Sequence, residues 1–374
     1  MALLLPLSGP HAALGRSLLE AAQLALFEVA NEDFVLMPRD TRGTPEGARA
    51  AATATLQEGA RLVLGPVFAA SAVEVAPLAQ QAGVNMIAFT NNSAAASEGA
   101  FVLGFLPGQR VARVVSYAAS RGATRFAALI PGGPYGEQVA ASFDEAVRRA
   151  GGVVVRVERY GPGPESATEA VKRLARYDER RAALLAQRAS LAAKDDEVSR
   201  RALRRLEHLE TLGDVDFDAV LVPEAGTSLA GVAPLLPYFG VDTRKVRILG
   251  INDWSDRALR REPALKGAWY AAPAPDARAD FTQRFRRIYG GEPHDLAPLA
   301  YDAAALAAVL ASRDGGADFT IEALAAPNGF AGSAGLFRLL RNGLVEHRFA
   351  VFEVQPEGVD IVSPAPQSFE LVTN

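Results

Sequence analysis

Apolar positions along this chain switch repeatedly between a strand-like run and a helical period. Short apolar runs at residues 2–7, 34–37, 62–66 and 85–89 predict strands. Between them, residues 14–29 place Leu18, Leu19, Ala22, Leu26 and Val29 on one helical face. Thr44-Pro45-Glu46 opens a second helix with a cap residue followed by proline at the first position, and residues 70–82 predict a third. Strand and helix alternate without a break, and right-handed crossovers turn that order into a parallel sheet covered by helices.

A further run at 101–105 ends in Leu106-Pro107-Gly108, where the chain is expected to leave the first α/β unit. The second series comprises strands at 126–130, 152–158, 218–223 and 246–250 and a helix at 136–149. Residues 267–275, GAWYAAPAP, predict a second crossing, and helices at 277–289 and 301–312 a return to the first lobe. In the tail, residues 335–338, Asn342-Gly343 and residues 347–354 predict a β-hairpin with an Asn-Gly turn. The expected lobes are therefore 1–106 with 274–330, and 107–273 with 331–374.

One segment breaks this rhythm. Residues 165–212 contain neither Gly nor Pro, and Val171, Leu174, Leu184, Leu191, Val198, Leu203, Leu206 and Leu209 mark an apolar stripe. A straight helix of that length would span roughly 70 Å at 1.5 Å per residue. A helical hairpin bending near Lys194-Asp195-Asp196 is the expected form. Two readings stand for it: an insertion packed on its own lobe, and a surface for docking another protein.

Composition removes several classes of function. At 374 residues the chain has room for two cores. Its net charge of −4 gives no electrostatic case for nucleic acid or an anionic membrane. No apolar run is long enough to span a bilayer. The absence of cysteine excludes disulfides, thiol nucleophiles and Cys-based metal sites. His11, His208, His294 and His347 are scattered without metal-ligand spacing. There is no GxSxG, GxxxxGK[ST] or GxGxxG motif, so neither an enzyme nor a cofactor is predicted. The first apolar run is short and directly followed by turn residues, which predicts a buried strand and an export signal removed before residue 1.

The strand-end loops remain as the place for chemistry, because ligands of open parallel sheets bind beyond the carboxyl ends of strands. Phe68 and Ala69, Thr90 and Asn92, Tyr135, Glu224, and Asn252, Asp253 and Trp254 are the candidate ligand-binding residues. They offer hydroxyls, amides, carboxylates and aromatic faces suited to a small polar ligand. Gly and Pro in these loops also shape turns, and Asn91-Asn92-Ser93 also fits a helix cap.

The runs LLLPLSGPHAALGRSLLEAAQLAL, LVLGPVFAASAVEVAPLAQQAGVNMIAFT and RIYGGEPHDLAPLAYDAAALAA, with PYG after a strand, resemble type I periplasmic binding proteins. The Leu/Ile/Val-binding branch of the amino-acid ABC transporter receptors is the most similar group. The resemblance covers nearly the whole chain apart from 165–212. It implies two doubly wound parallel-sheet lobes joined by a three-stranded hinge, closing on a ligand in the periplasm without catalysis. It also implies an ABC permease as partner.

In that family a serine after the third strand holds the ligand carboxylate, and here Phe68-Ala69-Ala70 stands in its place. The loop after the fourth strand corresponds to Phe89-Thr90-Asn91-Asn92. The tyrosine of the second lobe matches Tyr135, and the acid that meets the ligand ammonium falls near Asn252-Asp253. The opening LLLPLSG, the GPVFA run and the long insertion also resemble lipoprotein activators of penicillin-binding proteins, a branch with the same fold. That alternative implies docking to a peptidoglycan synthase and a lipid anchor preceding residue 1.

Overall fold

A computed structural model describes residues 1–30, 34–194, 196–312 and 316–369. The first stretch runs β1 (Ala2–Leu5), α1 (Ala12–Val29), β2 (Met37–Asp40), α2 (Pro45–Gln57), β3 (Leu62–Leu64), α3 (Ala69–Gln81), β4 (Asn85–Ala88) and β5 (Ala100–Val102). The second runs α4 (Pro107–Ser120), β6 (Arg125–Pro131), α5 (Pro134–Arg149), β7 (Val153–Tyr160), α6 (Pro164–Leu174), α7 (Tyr177–Ala192), α8 (Glu197–Leu206), β8 (Ala219–Leu221) and α9 (Gly226–Val232). It continues with α10 (Leu235–Tyr238), β9 (Arg247–Gly250), α11 (Arg257–Arg260) and β10 (Trp269–Ala272). The remainder is α12 (Pro275–Tyr289), α13 (Ala297–Ala311), α14 (Ile321–Leu324), β11 (Phe330–Gly332), β12 (Gly335–Leu339), β13 (Val345–His347), β14 (Ala350–Val354) and β15 (Val359–Ser363).

The chain divides into two compact units. The first holds Met1–Leu106, Pro273–Phe349 and the segment from Ala365; the second holds Pro107–Ala272 and Ala350–Pro364. The first unit's main sheet has the all-parallel order β2-β1-β3-β4-β5. In the second unit the parallel strands run β7-β6-β8-β9-β10, extended by antiparallel β14 and β15. Counted from each unit's own first strand, both parallel sheets have the order 2-1-3-4-5. In such a sheet the chain reverses direction between the first and third strands, which opens a crevice at their carboxyl ends.

Burial explains the strands. All of β1 is buried, as a central parallel strand covered on both faces requires, and Val63 and Leu64 of β3 are equally enclosed. The second strand falls at Met37–Asp40 and not at 34–37. Its register sets Met37 opposite Ala2, so Arg39 and Asp40 belong to the strand end. Pro38 is tolerated there because β2 is an edge strand. On the helical layer α13 packs against α1, and its residues are buried almost all round, Asp302 among them.

Two expected boundaries shift. Residues 331–349 belong to the first unit, because the β12–β13 hairpin is tied to β5: the Val102 amide donates to Gly343 O at 2.8 Å. The predicted strand over 347–354 is split, with β13 in the hairpin and β14 pairing with β10 of the second unit. The tail returns to the first unit, where the Arg338 and Arg348 guanidinium groups lie 4.5 Å and 4.4 Å from the Phe369 ring. The chain therefore passes between units at 106/107, 272/273, 349/350 and 364/365, one passage more than a three-stranded hinge.

The segment 165–212 is likewise more than a hairpin. Helix α6 buries Ala167, Ala170, Val171 and Leu174 and packs on β7 as a regular helix of the sheet. Arg176, at φ 48°, breaks the helix before α7. Helices α7 and α8 form the actual hairpin. Asp196 caps α8 by accepting from the Ser199 amide at 2.8 Å, and Asp195 lies outside the described residues. Arg188 of α7 donates to the carbonyls of Leu206, Glu207 and Leu209, covering the negative end of α8. Leu184 and Ser199 are the buried residues of this pair, so the hairpin is mostly surface.

Candidate functional site

In the first unit the candidate loops follow β1, β2, β3 and β4. Asp40 ties two of them together, accepting from the amides of Leu7 at 2.9 Å, Ser8 at 3.2 Å and Arg42 at 2.8 Å. Partial burial works against its charge, yet the bonds from Ser8, Arg42 and Leu7 prevail and hold the carboxyl below its ordinary range. After β3, Gly65 sits at φ 82°, where an added Cβ would overlap the Leu4 carbonyl. That turn delivers Phe68 to the N-cap position of α3, with no side chain satisfying the first amides of the helix. The Phe68 ring tilts against His11 with centroids 4.8 Å apart. Ala69 and Ala70 form the first turn, so backbone N–H groups are what this loop offers.

Thr90, after β4, is buried at 5% exposure. Its hydroxyl oxygen accepts from the Asn92 amide at 3.2 Å and its carbonyl from the Gly104 amide at 3.0 Å. The bond to Asn92 leaves the hydroxyl hydrogen available. Asn92 itself is exposed, and its side-chain oxygen accepts from the Ala94 amide at 2.9 Å. It caps a short 3-10 turn, so its acceptor is already used.

The second unit brings its candidates together through side chains. Tyr135 follows Pro134 at the start of α5, and its hydroxyl donates to Pro223 O at 3.2 Å. The Asn252 side-chain amide donates to the same carbonyl at 3.2 Å. Burial pushes the Tyr135 phenol up, with Glu224 adding to that and Asn252 and Arg110 opposing it, so Tyr135 is a neutral donor. Glu224, just beyond β8, accepts from the Tyr160 hydroxyl at the end of β7. Burial and the Glu224 carboxylate push the Tyr160 phenol far above its ordinary value. These loops leave β6, β8 and β9, so Tyr135 and Glu224 flank the switch point between the first and third strands of this sheet.

Two predicted residues have other occupations. Trp254 is fully buried; its indole N–H donates to Glu224 O at 2.9 Å and its ring packs near Tyr270, so it supports the loop and presents no face to a ligand. Asp253 is exposed, accepts from the Ser255 amide at 2.8 Å and hydrogen-bonds Tyr270. Burial and Asp253 together raise the Tyr270 phenol, which stays protonated and donates. Sequence reasoning missed Tyr160 and Arg110. Tyr160 ends β7 directly before Gly161-Pro162-Gly163, a strand-end signal like those used elsewhere. Arg110 of α4 donates to Ile251 O at 2.9 Å and carried no sequence signal.

Among the described residues no group of three or more His, Cys, Asp or Glu side chains is placed to hold a metal ion. None of the described helices is long and apolar enough to cross a membrane. Residues 1–359 match the family described as periplasmic binding protein. The chain belongs to that family. Its fold is shared by a putative branched-chain amino acid ABC transporter from Rhodospirillum rubrum, at TM-score 0.76 and 19% identity over 97% of this chain and 99% of that one. A leucine-binding protein from Thermotoga maritima matches at TM-score 0.57 and 20% identity over 97% of each chain. A solute-binding protein from R. palustris, solved with benzoate, matches at TM-score 0.57 and 18% identity over 98% of this chain and 96% of that one. Among curated proteins, an uncharacterized protein of Rickettsia prowazekii is 22% identical over 174 residues, 46% of each chain. The matched region thus spans about half the length of that relative. The two α/β parallel sheets are the fold this chain shares with those solved structures.

Proposed function

We propose that this chain is a periplasmic solute receptor that closes its two units on a small polar ligand and delivers it to an ABC permease, without catalysing a reaction. The carrying observation is the constellation at the second unit's switch point, where the Tyr135 hydroxyl and the Asn252 amide both donate to Pro223 O, next to the Glu224 carboxylate that accepts from Tyr160. The uncapped N-terminus of α3 and the Thr90 hydroxyl are the complementary groups of the first unit, suited to a ligand carboxylate. Because Asp253 is engaged by Tyr270 and Ser255, Glu224 is the acid left to meet a ligand ammonium. An amino acid is the ligand class this pairing fits, with aromatic carboxylates as the comparison class.

The test is a thermal-shift screen with amino acids and aromatic acids, followed by calorimetry. A true ligand at a hundred times its Kd stabilises the native state by about 2.7 kcal/mol. Tyr135→Ala should weaken its binding tenfold or more with the fold intact; unchanged affinity would sink the site assignment.

A second reading rests on the α7–α8 hairpin, whose Leu185 and Val198 are 53% and 79% exposed. These apolar side chains beside Arg200, Arg204 and Arg205 suit docking to a protein, a peptidoglycan synthase in the activator branch of the fold. Its test removes residues 177–206 alone, because cutting from 165 would also delete α6 from the core of the second unit. Retained binding to a synthase after that deletion would eliminate the hairpin as the docking element.

A further inference from the structure

Three of the four passages between the units abut a regular element: α4 begins at Pro107, β10 ends at Ala272 and β14 begins at Ala350. The fourth, at 364/365, runs through residues 364–369, which form neither helix nor strand. Pro364 and Pro366 fix their own φ angles, and Ser363 and Ala365, each preceding a proline, favour extended backbone. Ala365 and Phe369 are the buried residues of this segment, and the rest of it is exposed.

The segment is fastened at each end, and in a different unit. At its start, within the second unit, Arg113 of α4 donates to Ser363 Oγ at 2.7 Å and to Pro364 O at 3.2 Å. At its end, within the first unit, Phe369 occupies a slot on the β12–β13 hairpin. The Arg338 and Arg348 guanidinium groups that lie against its ring are within cation–π range. Glu346 holds both, at 2.6 Å from Arg338 and 3.2 Å from Arg348. Arg348 Nε also donates to Ser368 O at 3.2 Å. Gly329, at φ 69°, completes the slot, and an added Cβ there would overlap the Phe369 ring as well as Phe337 O.

From Ser363 to Phe369 the chain advances six residues, which reach at most about 20 Å when fully extended. The restricted backbone around the two prolines favours that form and leaves little slack. We propose that residues 364–369 are a strap that limits how far the two units can part. The Arg113 fastening and the Phe369 slot separate no further than the strap allows until the ring leaves the slot. Docking of Phe369 is then a switch between a restrained and a freely opening molecule. The inference goes beyond the solute-receptor reading and does not need it, because the restraint acts with or without a ligand.

The experiment measures spin-label distances between the units in the full chain without added solute. No native cysteine competes for the label, so Ala94→Cys after β4 and Thr227→Cys after β8, both at exposed positions, carry it. The labelled protein should give one narrow distribution. Phe369→Ala should add a longer-distance component of about a tenth of the molecules or more, whereas Phe369→Tyr, which keeps the ring, should not. Inserting Gly-Ser-Gly-Ser between Gln367 and Ser368 leaves the slot filled and lengthens the strap by about 13 Å. It should add the same longer component, with cooperative thermal unfolding showing each variant folded. An unchanged distribution in Phe369→Ala overturns the inference. So does a change in Phe369→Ala that the insertion fails to reproduce, since Phe369 would then act through the hairpin it packs on and not through the strap. A blank solute screen leaves the strap standing, and an unrestrained protein that binds a solute through Tyr135 loses the strap and keeps the receptor reading.

Discussion

The two units build their parallel sheets on one strand order and equip the switch point differently. The first unit offers backbone: the opening amides of α3, delivered by the Gly65 turn, and a Thr90 whose oxygen is already half used. Asp40, a carboxylate at the end of β2, is spent on the chain's own amides. The second unit offers side chains, with Tyr135, Asn252, Tyr160 and Glu224 gathered on one loop. Backbone donors recognise a group that many solutes share, whereas side chains discriminate between solutes. Under the proposed receptor function, the first unit would anchor a common carboxylate and the second would set specificity. Substitutions should then act differently in each.

The largest effect is expected in the first unit and on stability. Gly65→Ala puts a Cβ on the Leu4 carbonyl at a left-handed backbone position, at a cost of about 3 kcal/mol or more. Denaturant unfolding reads it directly. Ligand affinity should fall with it, since the same turn aims the α3 amides. A variant of normal stability would mean that this loop is softer than a backbone-recognition site needs.

The next effect concerns where each unit keeps its ionisable groups. Asp302, fully enclosed in α13, has its pKa raised to about 6 by burial, against hydrogen bonds from Ser333 and Ala334. The native state therefore binds this proton more tightly than the unfolded chain does. Its contribution to stability is complete below the unfolded value of 3.8 and is lost as pH rises through 6. Two pKa units correspond to about 3 kcal/mol. Unfolding free energies measured from pH 4 to 7 should fall by that order relative to Asp302→Asn, whose own profile lacks this step. Parallel profiles for the two proteins would show that the buried acid is not the cause.

Specificity carries the third effect. Tyr135→Phe removes a hydroxyl whose hydrogen is given to Pro223 O and whose oxygen can accept from a solute, and a lost hydrogen bond of about 1.4 kcal/mol weakens the solute tenfold. Paired with it, Thr90→Val should reduce binding of all solutes by a similar factor, while Tyr135→Phe should change their rank order. Equal shifts across a solute panel for both variants would erase the division between anchoring and specificity.

Much of the fold was legible in the sequence, because strands buried on both faces read as continuous apolar runs and helices carry a separate period. The strand-end loops were legible for the same reason. What local pattern does not carry is pairing between distant segments. The apolar run at 34–37 could not reveal that β2 starts at Met37, since the register with Ala2 sets it. The final hairpin was visible, yet its attachment to β5 through Gly343 depends on a contact across more than half the chain. In the candidate site, residue type misled at Trp254. An aromatic at a strand end suits a ligand, and here its N–H is consumed by Glu224 O in the core. Tyr160 was overlooked because its role appears only once β7 lies beside β6 and Glu224 reaches it.

The smallest effect tests the comparison at the one exposed polar side chain of the first unit's candidates. Asn92 reads equally well in sequence as a ligand contact or a cap, and its oxygen accepts from the Ala94 amide at 2.9 Å. Asn92→Ala should cost about 0.5–1 kcal/mol of stability, as for other lost caps. Asn92→Asp retains the acceptor and should recover most of that loss. If the first unit acts through backbone, both variants should bind the solute within twofold of the natural protein. An affinity loss in Asn92→Ala that Asn92→Asp does not rescue would make the amide nitrogen a ligand donor, and the first unit would then contribute a side chain to specificity after all.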